Sequence, residues 1–119
     1  MRYKMRIMPS SRDRSYARYV LAATQLLGSM VAVERKQRRM TAQDVAERLG
    51  ISRNTLRRIE AGDPKVEIGL AFEACALMNI RLFEGDLGMI SARLDEHGKR
   101  LALLPRYARP HRLRVDDDF

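Results

Sequence analysis

Residues 40–62 read Met40-Thr41-Ala42-Gln43-Asp44-Val45-Ala46-Glu47-Arg48-Leu49-Gly50-Ile51-Ser52-Arg53-Asn54-Thr55-Leu56-Arg57-Arg58-Ile59-Glu60-Ala61-Gly62. Two short amphipathic helices are written into this stretch. Thr41 ahead of Ala42, Gln43 and Asp44 is an N-cap candidate, Val45, Ala46 and Leu49 recur at helical spacing, and Gly50 suits the left-handed residue that ends a helix. Ser52 offers a second cap, Leu56 and Ile59 a second apolar stripe, and Gly62 a second stop, with Asp63-Pro64 blocking continuation. Only Gly50-Ile51-Ser52 separates the two helices.

That spacing is the arrangement in which a first helix crosses the DNA backbone while the second enters the major groove. At about 100° per residue with Leu56 at 0°, Ile59 lies at about 300°, so the outward direction is near 150°. Asn54 at about 160°, Arg58 at about 200° and Arg57 at about 100° then face outward, and Arg53 at about 60° flanks them near the helix start. Arginine pairs bidentately with guanine and asparagine with adenine, so Arg53, Asn54, Arg57 and Arg58 are the candidate base readers. The ordinary alternative is a solvated cationic face. Lys36, Arg38 and Arg39, just upstream, suit phosphate contact or, equally, the negative end of a helix dipole.

Further upstream, Tyr16, Tyr19, Val20, Ala23, Leu26, Leu27, Met30 and Val31 recur at three- and four-residue steps, which predicts one long first helix ending near Arg39. Downstream, Val66–Met78 and Asp86–Glu96 are two more amphipathic candidates, weakened by Gly69 and Gly88. No two-residue alternation lasts long enough to be a strand. The expectation is an all-α, compact five-helix domain over 15–97, flanked by a flexible basic arm at 1–14 containing Pro9, Ser10 and Ser11. A second flexible arm, at 98–119, contains Pro105 and Pro110. The uncharged run Tyr19–Val33 holds Thr24, Gln25, Gly28 and Ser29 and is too short and too polar for a spanning helix or a secretory signal, so no membrane partner is expected.

A chain of 119 residues, 45% hydrophobic, supports one modest core, which excludes a multidomain enzyme. Its net charge of +8 favours an anionic partner. That charge is polarised: residues 34–60 hold eight Lys/Arg against four Asp/Glu, whereas 61–97 hold three against seven, so an anion should approach the first half. Cys75 is the single cysteine and sits in an apolar run, a buried hydrophobe more readily than a reactive thiol, and Met78 and Met89 read as core filling. With only His97 and His111 as histidines there is no Cys/His zinc set, no nucleophile motif and no cofactor fingerprint, so neither metal nor cofactor nor enzyme activity is expected. Asp116-Asp117-Asp118 lacks a second shell that would hold a metal ion. A solvated acidic end, or docking to a basic partner with Phe119 as apolar anchor, are the other readings of that tip.

Residues 40–62 resemble the Cro/repressor-type (XRE) helix-turn-helix family, a similarity that extends over roughly Leu27–Leu87. The resemblance implies sequence-specific binding to a double-stranded DNA operator, with Thr41, Gln43 and Ser52 joining Lys36, Arg38 and Arg39 on the phosphate backbone. It also implies an ion pair between Arg35 and Glu60 that orients the reading helix. Ala42 stands where that family often has a DNA-contacting glutamine. Because one helix-turn-helix reads a half-site, a homodimer is expected.

A narrower similarity runs through Ser15-Tyr16-Ala17-Arg18-Tyr19, Gly62-Asp63-Pro64-Lys65-Val66-Glu67-Ile68-Gly69, Leu101-Ala102-Leu103-Leu104-Pro105 and the terminal Val115-Asp116-Asp117-Asp118-Phe119. These segments are similar to the HipB-like antitoxins that accompany HipA-type serine/threonine kinase toxins. The resemblance implies a cytoplasmic repressor of its own operon that also restrains the kinase, with Val115, Asp116, Asp117, Asp118 and Phe119 as partner-binding residues. A stand-alone repressor that senses a small ligand through residues 67–97, and an adaptor that keeps the fold without DNA, are the competing expectations.

Overall fold

The computed structural model describes residues 15–107 and Pro110. Five α-helices and no strand occur among them: α1 Arg18–Gln37, α2 Ala42–Leu49, α3 Arg53–Ala61, α4 Ile68–Leu77 and α5 Leu87–Leu103. The fold is all-α, as the periodicity predicts. It divides into two units, one holding α1–α4 and ending at Ile80, the other beginning at Arg81 and holding α5. Among the described residues every buried apolar side chain belongs to the first unit, whereas α5 contributes none.

In the first unit α3 packs against both α1 and α2, and α4 closes the other side against the same two helices. The core comprises Val31 from α1, Val45 and Ala46 from α2, Leu56 and Ile59 from α3, and Ala74, Cys75 and Met78 from α4 and its cap. Burial pushes the Cys75 thiol pKa up, which keeps it protonated and unreactive. Met89 departs from its expected core role: it is 54% exposed, because α5 has no core of its own to fill.

All four helices of this unit end in one way. A residue in the left-handed region follows each, namely Arg39 (φ 57), Gly50 (φ 70), Gly62 (φ 82) and Asn79 (φ 58). The next amide then reaches back across the last turn: Met40 N to Arg35 O, Ile51 N to Ala46 O, Asp63 N to Arg58 O and Ile80 N to Cys75 O, at 2.8–3.0 Å. These bonds satisfy carbonyls that the helix itself leaves unpaired, and Met40, Ile51 and Ile80 fold back onto the core as they form.

The apolar residues of α1 do not form one buried stripe. Leu27, Gly28 and Val31 turn inward, while Tyr19, Leu26, Met30 and Val33 are exposed. Gly28 decides how near α1 comes to α3. A Cβ built there would lie 2.6 Å from the Glu60 carbonyl oxygen and would also collide with that of Ile59. Gly62 meets α1 from the other side, since its Cβ would fall 2.5 Å from the Cα of Gln25. Two glycines thus permit a backbone-to-backbone crossing that no larger residue allows.

α5 runs seven residues past the expected end at Glu96, so 98–103, assigned to the flexible arm, are helical. Lys99, Arg100, Leu101 and Ala102 are strong helix formers, and the two cations complement the C-terminal dipole, which outweighs Gly98. The helix stops at Leu104 (ψ 154), held extended by the following Pro105. The basic arm expected at 1–14 lies outside the described residues.

Gly28→Ala should lower the stability of the α1–α4 unit by about 1–3 kcal/mol in chemical denaturation, since the neighbours that must yield are backbone. Gly98→Ala, whose Cβ meets nothing within 4 Å, should leave that transition in place and raise helix content instead.

Candidate nucleic-acid interface

α2 and α3 are set by their caps. The Thr41 hydroxyl accepts from Asp44 N at 3.0 Å while the Asp44 carboxylate accepts from Thr41 N at 3.0 Å, a reciprocal box that satisfies two amide donors at the start of α2. Ser52 Oγ accepts from Thr55 N at 3.0 Å and starts α3 in the same manner. The three-residue turn between them is closed by Gly50 in the left-handed region and by Ile51 packed on the core.

α3 buries Leu56 and Ile59, which leaves Arg53, Asn54 and Arg57 exposed along its outer side, from its first residue onward. The structure thus brings three of the four candidate base readers together on one open face. Arg58 differs. Its Nε donates to Asp63 Oδ2 at 2.8 Å, and its side chain is 42% exposed. Asp63 in turn accepts from Lys65 N at 2.8 Å, and these bonds, the amide first and the guanidinium second, hold its carboxyl below the usual aspartate range. Nothing in the spacing of 40–62 signalled this pair, because Asp63 lies beyond the helix and reads locally as a stop.

Arg35 and Glu60 are joined side-on. Arg35 Nε donates to Glu60 Oε2 at 2.7 Å and Nη2 to Oε1 at 3.0 Å, and both side chains are largely buried, at 13% and 15% exposure. The remaining Nη1 donates to Met40 O at 3.1 Å. One guanidinium therefore ties the end of α1, the entry to α2 and the end of α3. The hydrogen bond to Glu60 raises the Arg35 pKa, with burial opposing it, so the guanidinium stays charged.

Of the candidate phosphate contacts, Lys36, Arg39, Thr41, Gln43 and Ser52 are exposed, with Gln43 donating to Glu47 at 2.8 Å. Arg38 has another employment, which sequence reasoning missed. It donates to Leu77 O at 3.2 Å and Met78 O at 2.8 Å and lies 3.5 Å from Glu34, so it ties α1 to the carbonyl end of α4. A cation near the last turn of a helix is expected there, but the helix it serves is 39 residues away in the chain. The partner-binding candidates Val115–Phe119 lie outside the described residues.

Residues 32–84 match the family model described as Helix-turn-helix. That match supports the Cro/repressor-type family. With it comes the coarser functional statement, a DNA-binding transcriptional regulator. The matched segment takes in the last turns of α1, all of α2–α4 and the following loop, and stops short of α5. No curated protein and no solved structure matches the chain. No helix among the described residues is long and apolar enough to cross a membrane, and no group of three His, Cys, Asp or Glu among them is placed to hold a metal ion.

Arg35→Ala should cost about 2–4 kcal/mol of stability, because it strands the Glu60 carboxylate against the core and frees Met40 O. Arg35→Lys, which keeps charge without the fork, should recover only part of this. Acid should act through Asp63 and Asp44, both lowered, the shift of Asp44 coming first from Thr41 N. Because their folded pKa values are depressed, the stabilisation is complete above the unfolded value near 3.8 and is lost as pH falls through the folded ones. Melting temperature should therefore fall modestly below about pH 4, and Asp63→Asn should flatten that limb.

Proposed function

We propose that this protein is a sequence-specific repressor that binds a two-fold operator as a homodimer, with Arg53, Asn54 and Arg57 reading base edges in the major groove. The observation that carries the reading is the division of α3: apolar Leu56 and Ile59 inward, cationic and amide groups outward, on a helix whose attitude is held by Arg35 and Glu60. Arg58 stands beside that face, and its bond to Asp63 presets its direction. Arg39, Thr41, Gln43 and Ser52 lie on or beside the starts of α2 and α3, and Lys36 in the last turn of α1, where helix amides and cations suit phosphates. Arg39 adds an argument of its own, since a non-glycine residue at φ 57 gives up stability that glycine would retain, which is the usual mark of a side chain kept for contact.

Arg38 is the weakest of the phosphate candidates, because its guanidinium is already bound to α4 carbonyls. Within the same reading, the protein acts in the cytoplasm as the antitoxin of a type II module and restrains a HipA-type kinase through the tip Val115–Phe119. This finer assignment is supported by the short outer sequence motifs alone.

Asn54→Ala or Arg57→Ala should weaken operator binding by about 1–3 kcal/mol and flatten sequence preference. Arg39→Gly should weaken operator and random duplex alike, lower the salt slope by about one, and raise stability. Affinities on both DNAs over a salt series decide between base and phosphate roles; equal losses on both DNAs for Arg57→Ala reassign it to the backbone. For the antitoxin role, deletion of 115–119 should leave operator binding intact and abolish co-purification with a kinase encoded beside it. Retention of the kinase by the truncated chain would remove the tip from that role.

A further inference from the structure

α5 carries a pattern that the reading unit does not use. Leu87, Ile90, Leu94, His97, Leu101 and, just past the helix end, Leu104 alternate three and four residues apart, the spacing of a coiled-coil seam. Leu87, Leu94, Leu101 and Leu104 are 61–77% exposed, and no residue of the helix is buried. A 17-residue helix containing Gly88 and Gly98 is marginal in water by itself, so this seam requires a covering surface.

We infer that α5 is the dimerisation helix, its Leu87–Leu104 seam packing side by side and in parallel against the same seam of a second copy of this chain. The inference rests on the homodimeric DNA-binding reading above and assigns its interface. One observation favours a second copy and another sets its direction. Covering about 100 Å² at each of five positions on both chains, the four exposed leucines and His97, removes roughly 1,000 Å² from water, which is what a specific interface must clear. The flanking charges then choose the direction. Arg93 and Arg100 precede Leu94 and Leu101 on one side of the seam, while Ser91 and Gly98 flank the other. Antiparallel pairing would set Arg93 against Arg100 of the second copy, whereas parallel pairing sets Arg93 beside its uncharged Gly98. The two chains then enter the pair from the same end.

The test uses the full chain. Sedimentation equilibrium at micromolar concentration should give twice the 13.7 kDa chain mass for the wild type and the single-chain mass for Leu94→Glu/Leu101→Glu. The melting of the α1–α4 unit should be unchanged in the variant, since none of its core comes from α5. In a Cys75→Ala background, Leu101→Cys should cross-link to its own copy under mild oxidation, because parallel pairing sets position 101 against itself whereas antiparallel pairing sets it against Ile90. A wild type that sediments as a single chain, a double variant that stays dimeric, or a dimeric Leu101→Cys variant that does not cross-link overturns the inference. The mass measurement decides the seam independently of DNA. A dimeric wild type that binds no duplex from a random-sequence pool overturns the DNA-binding reading and leaves the interface standing.

Discussion

The crossing of α1 and α3 is the constraint on which the rest of the first unit depends. Gly28 lets the α1 backbone come against the carbonyls of Ile59 and Glu60, and at that separation the guanidinium of Arg35 can grip the Glu60 carboxylate with two nitrogens and Met40 O with the third. A charge pair with so little exposure is stabilising only when its geometry is good and its other donors are satisfied, and here both conditions hold. Since α3 has just nine residues, fastening its last turn fixes the direction of its first, where the exposed Arg53 and Asn54 stand. The attitude of the exposed face at one end of the helix is thus set by packing at the other.

A second arginine performs a comparable service toward α4. Arg38, one turn beyond Arg35, reaches the terminal carbonyls of α4, so α1 is tied to α3 by one guanidinium and to α4 by the next. Part of the cationic excess of residues 34–60 is therefore structural, and the positive field offered to DNA is that of the remaining exposed groups on α3 and near the helix starts. The short helices suit this arrangement. Each ends in a left-handed residue and a backward hydrogen bond, so turns as brief as Gly50-Ile51-Ser52 leave few carbonyls unpaired and allow little variation in the angle between α2 and α3.

The division of the chain at Arg81 separates two tasks. Upstream, apolar side chains are used up in a core that presents a polar, cationic helix face. Downstream, α5 keeps its leucines outside, an apolar face that the described residues leave uncovered. The family match ends before α5, in keeping with a reading unit of the family's kind and an additional helix outside it.

Local chemistry made much of this legible in advance. Caps at Thr41 and Ser52, stops at Gly50 and Gly62, and apolar pairs at helical spacing depend on neighbours within one turn, so the sequence by itself determined α2, the turn, α3 and the outward placement of Arg53, Asn54 and Arg57. The same rules reached too far at α1, where periodicity alone cannot tell the face against α3 from the face carrying Leu26 and Met30, and not far enough at α5, where Gly98 reads as a break. What only the tertiary structure decided are the contacts between residues distant in the chain. Gly28 as a contact point, Arg38 on the α4 carbonyls and the unburied seam of α5 depend on which surfaces meet, and Asp63 on Arg58 depends on how the chain leaves α3; helical spacing encodes neither.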